Sequence, residues 1–230
     1  MDDEDERNLL YKLCCSRPRP ADPKLAKYRL RYFDIRGLGE PIRMIFHYAQ
    51  VPFEDVRISQ DEWSDLKSST RYGKLPELEV EGKKLAESMS IARFLGNKFG
   101  LGGSDEWQKQ KIDEISDIQK DLAHELSSFI GTALGMREGD KKALRKELYL
   151  PTIRRYLPTY VRMLDESGSG FLISSGPTWV DFFVEEYLTT LNNVDPKLFK
   201  KYPKLAEYVE RVQHLPQLRS YMSTRQSSVV

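Results

Sequence analysis

Tyr32 is the first residue that combines a reactive type with a telling position, at the end of the alternating run Tyr28-Arg29-Leu30-Arg31-Tyr32-Phe33. A phenol with a pKa of about 10 is neutral near pH 7 and acts there as a hydrogen-bond donor. A strand-end tyrosine serves equally well as a core aromatic, so position alone leaves both uses open. Ser88 begins a helical pattern, where unpaired N–H groups favour a carboxylate; a serine there also works as a plain cap. Trp63, Lys67 and Lys74 are donors suited to another carboxylate, although isolated lysines also read as solvated charge. Asp113, Asp117 and Asp121 recur at helical spacing and share one face. Like charges so placed cost a little stability, so the stripe is either solvated or has a use. His47, His124 and His214 lie far apart and form no metal or triad pattern, which makes them packing or surface residues. Cys14 and Cys15 are adjacent, and nothing else in the chain can pair with them. That usage fits a reducing compartment.

The elements that must position these groups follow from periodicity. Residues 1–25 read as a disordered tail: acids, a short Leu9-Leu10-Tyr11 patch, then Ser16-Arg17-Pro18-Arg19-Pro20, which no helix or central strand tolerates. Cysteines beside Arg17 and Arg19 are candidates for acylation, against the simpler reading of an inert tail. The run 28–33 suits a strand, Gly37-Leu38-Gly39 breaks it, and Pro41 fits the first turn of a helix carrying Ile42, Ile45 and Phe46. A second strand fits Glu54 to Ile58, a short helical piece surrounds Trp63, and Leu75–Val80 with Lys83–Ala86 flank a tight turn at Glu81-Gly82. A helix carrying Ile91, Ala92, Phe94 and Leu95 completes a small α/β unit over 26–103. From Ser104 onward strand signals vanish, and 104–230 reads as all-helical, with Phe99-Gly100-Leu101-Gly102-Gly103 as the hinge.

The bulk figures exclude some functions. Of 230 residues, 40% are hydrophobic and 31% charged, as in an ordinary soluble protein. Lys+Arg 36 against Asp+Glu 35 gives a net charge of +1, which offers no electrostatic case for a nucleic-acid partner. No apolar run is long enough to insert into a membrane, and the acidic start carries no secretory signal, so a cytoplasmic location is expected.

Several phrases together resemble the cytosolic glutathione transferases. They are Leu30-Arg31-Tyr32-Phe33 followed by Arg36-Gly37-Leu38-Gly39-Glu40-Pro41-Ile42-Arg43, then Trp63 with Lys67, Gly73-Lys74-Leu75-Pro76, Glu87-Ser88, Ile91-Ala92-Arg93-Phe94-Leu95 and Thr178-Trp179-Val180-Asp181-Phe182. The resemblance spans roughly residues 27 to 225 and is nearest the sigma class of invertebrates, whose relatives include haematopoietic prostaglandin D synthase. It implies a thioredoxin-like α/β domain followed by an all-α domain, and a detoxification enzyme that conjugates reduced glutathione to hydrophobic electrophiles. Peroxidase and prostaglandin isomerase side activities are also implied. A non-catalytic ligand-binding or structural protein of the same fold is the alternative.

By that resemblance Tyr32 donates to the glutathione thiolate, and Trp63, Lys67, Gly73, Lys74, Leu75, cis-Pro76, Glu87 and Ser88 hold the tripeptide. Asp121 reaches the partner's glutathione ammonium in a homodimer. Lowering a thiol pKa by two units takes about 2.7 kcal/mol, and one charge-assisted hydrogen bond supplies about 1.5–3 kcal/mol. Glu87 departs from the glutamine usual in this class. The resemblance places the electrophile against Asp34, Ile35, Leu38, Ala123 and Ser128. Leu38 stands where prostaglandin D synthase has an arginine, and Ala123 and Ser128 replace bulky residues, which argues for a more open pocket. Lys120 replaces one of the acids that hold a divalent ion in the vertebrate synthase, so no metal is expected. Cys14 and Cys15 precede the first strand, which argues against a cysteine-based mechanism.

Overall fold

The computed structural model describes residues 27–225 together with Ser228 and Val230. The expected tail, with Cys14 and Cys15, lies outside the described residues. Four strands, β1 (Tyr28–Phe33), β2 (Glu54–Ile58), β3 (Glu77–Val80) and β4 (Lys83–Ala86), form one sheet in the order β2-β1-β3-β4. Strand β1 runs parallel to β2, with Tyr32 opposite Arg57, and antiparallel to β3, with Leu30 opposite Leu78. Period-two alternation sends Tyr28, Leu30 and Tyr32 into the core. Arg29 and Arg31 point to the other face, where they pair with Glu54 at 2.5 Å and Glu77 at 3.2 Å.

Helices α1 (Glu40–Tyr48), α2 (Gln60–Leu66) and α3 (Ser88–Lys98) complete this layer. Pro41 in the first turn of α1 costs no hydrogen bond, because N–H groups there have no intrahelical acceptor. Ser59 and Glu62 cap α2 reciprocally, the Ser59 N–H donating to Glu62 Oε2 at 2.8 Å. The Leu75–Pro76 peptide is cis, and β3 begins only at Glu77, two residues later than the alternation suggests.

The second half is helical: α4 (Glu106–Ala133), α5 (Lys141–Leu144), α6 (Leu150–Ser167), α7 (Trp179–Val194), α8 (Leu198–Lys201), α9 (Pro203–Gln213) and α10 (Arg219–Thr224). Helix α7 is the axis of this half, with Trp179, Phe182, Val184, Leu188 and Leu191 buried. Its start is fixed by Asp181, which accepts from the Thr178 N–H and hydroxyl, the Leu172 N–H and the Tyr208 hydroxyl.

The glycine-rich segment expected as a hinge is an anchored joint. Leu101 is buried and its carbonyl accepts from the Trp179 N–H at 3.0 Å. Arg93 on α3 bonds Asp113 on α4 at 2.7 Å and covers the Trp179 ring at 5.6 Å. The α/β and helical layers are thus joined by apolar packing and by charge.

Candidate functional site

Tyr32 lies where β1 ends and the chain turns through residues 34–39 into α1. The ring is buried, and its hydroxyl oxygen accepts from the Leu38 N–H at 3.0 Å. That bond occupies an acceptor position and leaves the phenolic proton available for donation. Burial pushes the Tyr32 hydroxyl up from its ordinary value, although the Leu38 N–H and the nearby Arg43 pull the other way. Tyr32 therefore stays a neutral phenol near pH 7, a donor and not a phenolate base.

Two glycines shape the turn around this ring. A Cβ at Gly39 would lie 2.4 Å from Tyr32 Cδ1, and one at Gly37 would lie 2.7 Å from Tyr32 Oη. Gly37 also adopts φ +41°. The turn is pinned from below by Arg43, whose guanidinium donates to the Phe33 and Ile35 carbonyls at 3.3 and 2.9 Å. Its Nε also donates to Asp55 at 3.0 Å, so the buried charge is paired and its forks are used.

Tyr32 opens onto a cleft of about 790 Å³ between the two layers. Glu87 and Ser88 line it at the start of α3, and Asp117, Lys120, Asp121, Ala123 and His124 line it from α4. Phe183, Glu186, Tyr187 and Thr190 face it from α7. The structure thus brings Tyr32, Glu87, Ser88, Asp121, Ile35, Leu38 and Ala123 to one space. Asp121 borders the cleft of its own chain.

Other expected residues stand elsewhere. Asp34 turns away to bond Arg57 at 2.9 Å and borders a separate, small recess. Ser128 lies outside the cleft wall, accepting from Arg137 at 3.2 Å. Neither lies on the wall of this cleft, and each has a charged partner. Trp63, Lys67, Gly73, Lys74, Leu75 and Pro76 also lie outside that wall. Trp63 is half-buried, edge-on to Phe33 at 5.3 Å between centroids. Lys67 and Lys74 are exposed, and the Lys67 stem passes beside Gly73. Ser88 is the first residue of α3, and the cap position belongs to Glu87, whose φ is +69° and whose side chain caps nothing.

Sequence reasoning missed His124, Arg93 and the α7 face. His124, expected as packing or surface, borders the cleft. Residues 183, 186, 187 and 190 follow the spacing of one helix face, a signal available in the sequence but indistinguishable there from core packing. Among the described residues no group of His, Cys, Asp and Glu is placed to hold a metal ion. No described helix is long and apolar enough to cross a membrane.

A small α/β layer with a buried, neutral tyrosine at a cleft against an all-helical layer is the arrangement that the resemblance to glutathione transferases implies. Family models agree: residues 28–97 match the glutathione S-transferase N-terminal domain and residues 120–225 the C-terminal domain. Glutathione S-transferase 1 of Ascaris suum is 38% identical over 201 residues, 87% of this chain and 98% of the relative. The crystal structure of the glutathione S-transferase from Ascaris lumbricoides superposes with a TM-score of 0.85 at 37% identity, covering 89% of this chain and 100% of the other. A Nu-class enzyme from Haemonchus contortus gives 0.81 at 36% identity, covering 88% and 98%. The chain belongs to the glutathione S-transferase family, and it is an enzyme that conjugates glutathione to electrophilic substrates.

Proposed function

We propose that the glutathione thiol loses its proton to solvent on binding and that Tyr32 favours the resulting thiolate by donating its phenolic O–H as a hydrogen bond to the sulfur. The sulfur then forms a bond to an electrophilic carbon, whose leaving group or conjugated acceptor takes the displaced electron pair; Tyr32 keeps its proton throughout. The observation that carries this reading is the Leu38 N–H bond to Tyr32 Oη, which orients the buried phenol and leaves its donor free.

In this reading Ser88 and the first N–H groups of α3 receive the γ-glutamyl carboxylate. Trp63, Lys67, Gly73, Lys74, Leu75 and Pro76 serve the cysteinyl-glycine end, and Ile35, Leu38 and Ala123 face the electrophile. Asp121, exposed at the cleft edge on α4, serves the partner's glutathione ammonium in a homodimer. We further read the enzyme as cytoplasmic and of a sigma-like kind; its likeness to the Nu-class enzyme favours a Nu-like placement as the second reading.

Chromogenic conjugation kinetics with Tyr32→Phe test the assignment. Loss of about 2.7 kcal/mol of thiolate stabilisation predicts a fall in kcat/KM of about a hundredfold. The thiol pKa in the glutathione complex should rise by about two units, read from thiolate absorbance across pH. Unchanged turnover in the variant would remove Tyr32 from the mechanism.

A further inference from the structure

The cleft wall contributed by α7 is not uniformly apolar. Phe183, Glu186, Tyr187 and Thr190 form one face, and two of them carry polar atoms with no hydrogen-bond partner: both carboxylate oxygens of Glu186 and the hydroxyl of Tyr187. The Glu186 side chain is 5% exposed, so these oxygens have lost water as well. Its nearest cations are Arg36 Nη2 at 3.2 Å and Arg225 Nη1 at 3.7 Å. Neither contact has hydrogen-bond geometry, and Arg36 Nη2 instead donates to Thr190 Oγ1 at 3.2 Å. The two cations offset the charge of Glu186 while leaving its lone pairs unused.

A buried acceptor or donor left unmade is costly, and such a group in a binding cleft gains by meeting a matching ligand group. Glu186 and Tyr187 are neighbours on the face lining the space beside Tyr32. We propose that they form a hydroxyl-selective subsite, so that this transferase prefers electrophiles carrying an alcohol on an arm remote from the reacting carbon. The polar atoms of Glu186 and Tyr187 are closed to solvent, so a rotation of the two side chains must open them; an alcohol then satisfies both groups, donating to a Glu186 carboxyl oxygen and accepting from the Tyr187 phenol. An alkyl arm satisfies neither. A cationic arm fits less well, since Arg36 and Arg225 already balance the carboxylate. Burial, and then the adjacent Glu185, raise the Glu186 carboxyl, and burial raises the Tyr187 phenol, so Tyr187 stays a donor. Specificity of this kind is strong where the site is built to bond a substrate hydroxyl, because the analogue lacking it strands buried polar groups.

The proposal rests on the transferase activity, and its test separates the two. Nitroaryl halides bearing a hydroxyalkyl arm, and counterparts with an alkyl arm of equal length, are assayed with glutathione over a series of arm lengths. Each rate is normalised to the uncatalysed reaction. The wild type should prefer the alcohol by about tenfold in kcat/KM at one arm length, as expected where the analogue lacking it strands a buried polar group. Tyr187→Phe, which removes a single oxygen, should cut the preference several-fold, and Glu186→Met should abolish it. Glu186→Gln keeps an acceptor and should retain part of it. The absence of any preference in the wild type overturns the subsite. So does an equal fall for both members of each pair in the variants, which would mark Glu186 and Tyr187 as structural. Failure of the wild type to conjugate either series overturns the transferase reading, and the subsite falls with it.

Discussion

Tyr221 donates its hydroxyl to Glu40 Oε1 at 2.8 Å, tying α10 to the first turn of α1 across 181 residues of sequence. Glu40 is buried and also receives Arg225 at 3.3 Å and Arg43 at 3.4 Å. Since Arg43 also holds the Phe33 and Ile35 carbonyls, the last described helix is coupled to the turn that carries Tyr32. The Tyr221 ring stacks on His47 at 3.9 Å, which extends the contact along α1.

Tyr221→Phe isolates the hydroxyl, because the stack survives. Burial, then Glu40, holds the Tyr221 phenol above its ordinary value, so it remains a donor throughout the working range. Removing a hydrogen bond to a buried carboxylate should lower stability by about 1.5–3 kcal/mol. The urea midpoint should fall while the slope m stays constant. An unchanged midpoint would show that Arg43 and Arg225 satisfy Glu40 by themselves.

His47 should make stability pH-dependent. Burial lowers its pKa below the ordinary histidine value, and Arg43 adds to this while Glu40 and Asp55 oppose it. The folded protein therefore binds this proton less readily than the unfolded chain. Between the two values the unfolded state holds more protons, so stability rises with pH. The contribution of His47 is fully present above about pH 6.5 and is lost as pH falls through the folded value. Asp181 and Glu186 carry raised values and act with the opposite slope, so only a difference isolates the histidine. His47→Phe keeps a ring against Tyr221; relative to it, the wild-type Tm should drop progressively below about pH 6.5. Parallel Tm curves would exclude the effect.

Much of this architecture is legible in the chain, for identifiable reasons. Tyr28, Leu30 and Tyr32 alternate because one sheet face is buried, and period two survives in the sequence. Pro41 marks the start of α1, and Thr178 with Asp181 marks the start of α7, because caps use few residue types at fixed spacing. The cleft's α7 face is not legible. Phe183, Tyr187 and Thr190 have the spacing of any buried stripe, and only the packing of α7 against the Tyr32 turn makes them a wall. The pairing of Asp34 is not legible either: its neighbour Ile35 lines the cleft, while Arg57, opposite Tyr32 on β2, holds the Asp34 carboxylate. The π-helical turn at Arg145–Tyr149 also left no signal.

Gly39→Ala tests how tightly the turn holds Tyr32. Gly39 has φ −81°, which alanine adopts freely, so the substitution carries no backbone penalty. The cost lies entirely in the contact of the new methyl with the Tyr32 ring, at 2.4 Å from Cδ1. The neighbouring ring is buried and cannot yield without moving the strand end. Overpacking of this kind costs about 1–3 kcal/mol. The expected variant folds with a lowered Tm and loses more kcat than glutathione affinity, since the phenol moves and Ser88 does not. A variant with wild-type kcat would show that the ring position has slack.

Glu87→Gln should tighten glutathione binding two- to threefold and leave kcat at saturation unchanged, a range set by the roughly 1 kcal/mol limit for exposed charge pairs. Glu87 is exposed, borders the cleft and keeps the same strained φ of +69° in either form, so the comparison isolates its charge. The γ-glutamyl end presents an ammonium, which Glu87 attracts, and a carboxylate at the start of α3, which it repels. On the proposed reading the partner's Asp121 holds the ammonium, so the repulsion is the larger remaining effect, and glutamine relieves it. The gain should shrink as salt is raised. The sign should reverse in an Asp121→Asn background, where Glu87 becomes the main acceptor for the ammonium and its loss weakens binding. Calorimetric titration of the two singles and the double variant reads this directly. Additive changes across that cycle would show that Glu87 and Asp121 serve different parts of the ligand.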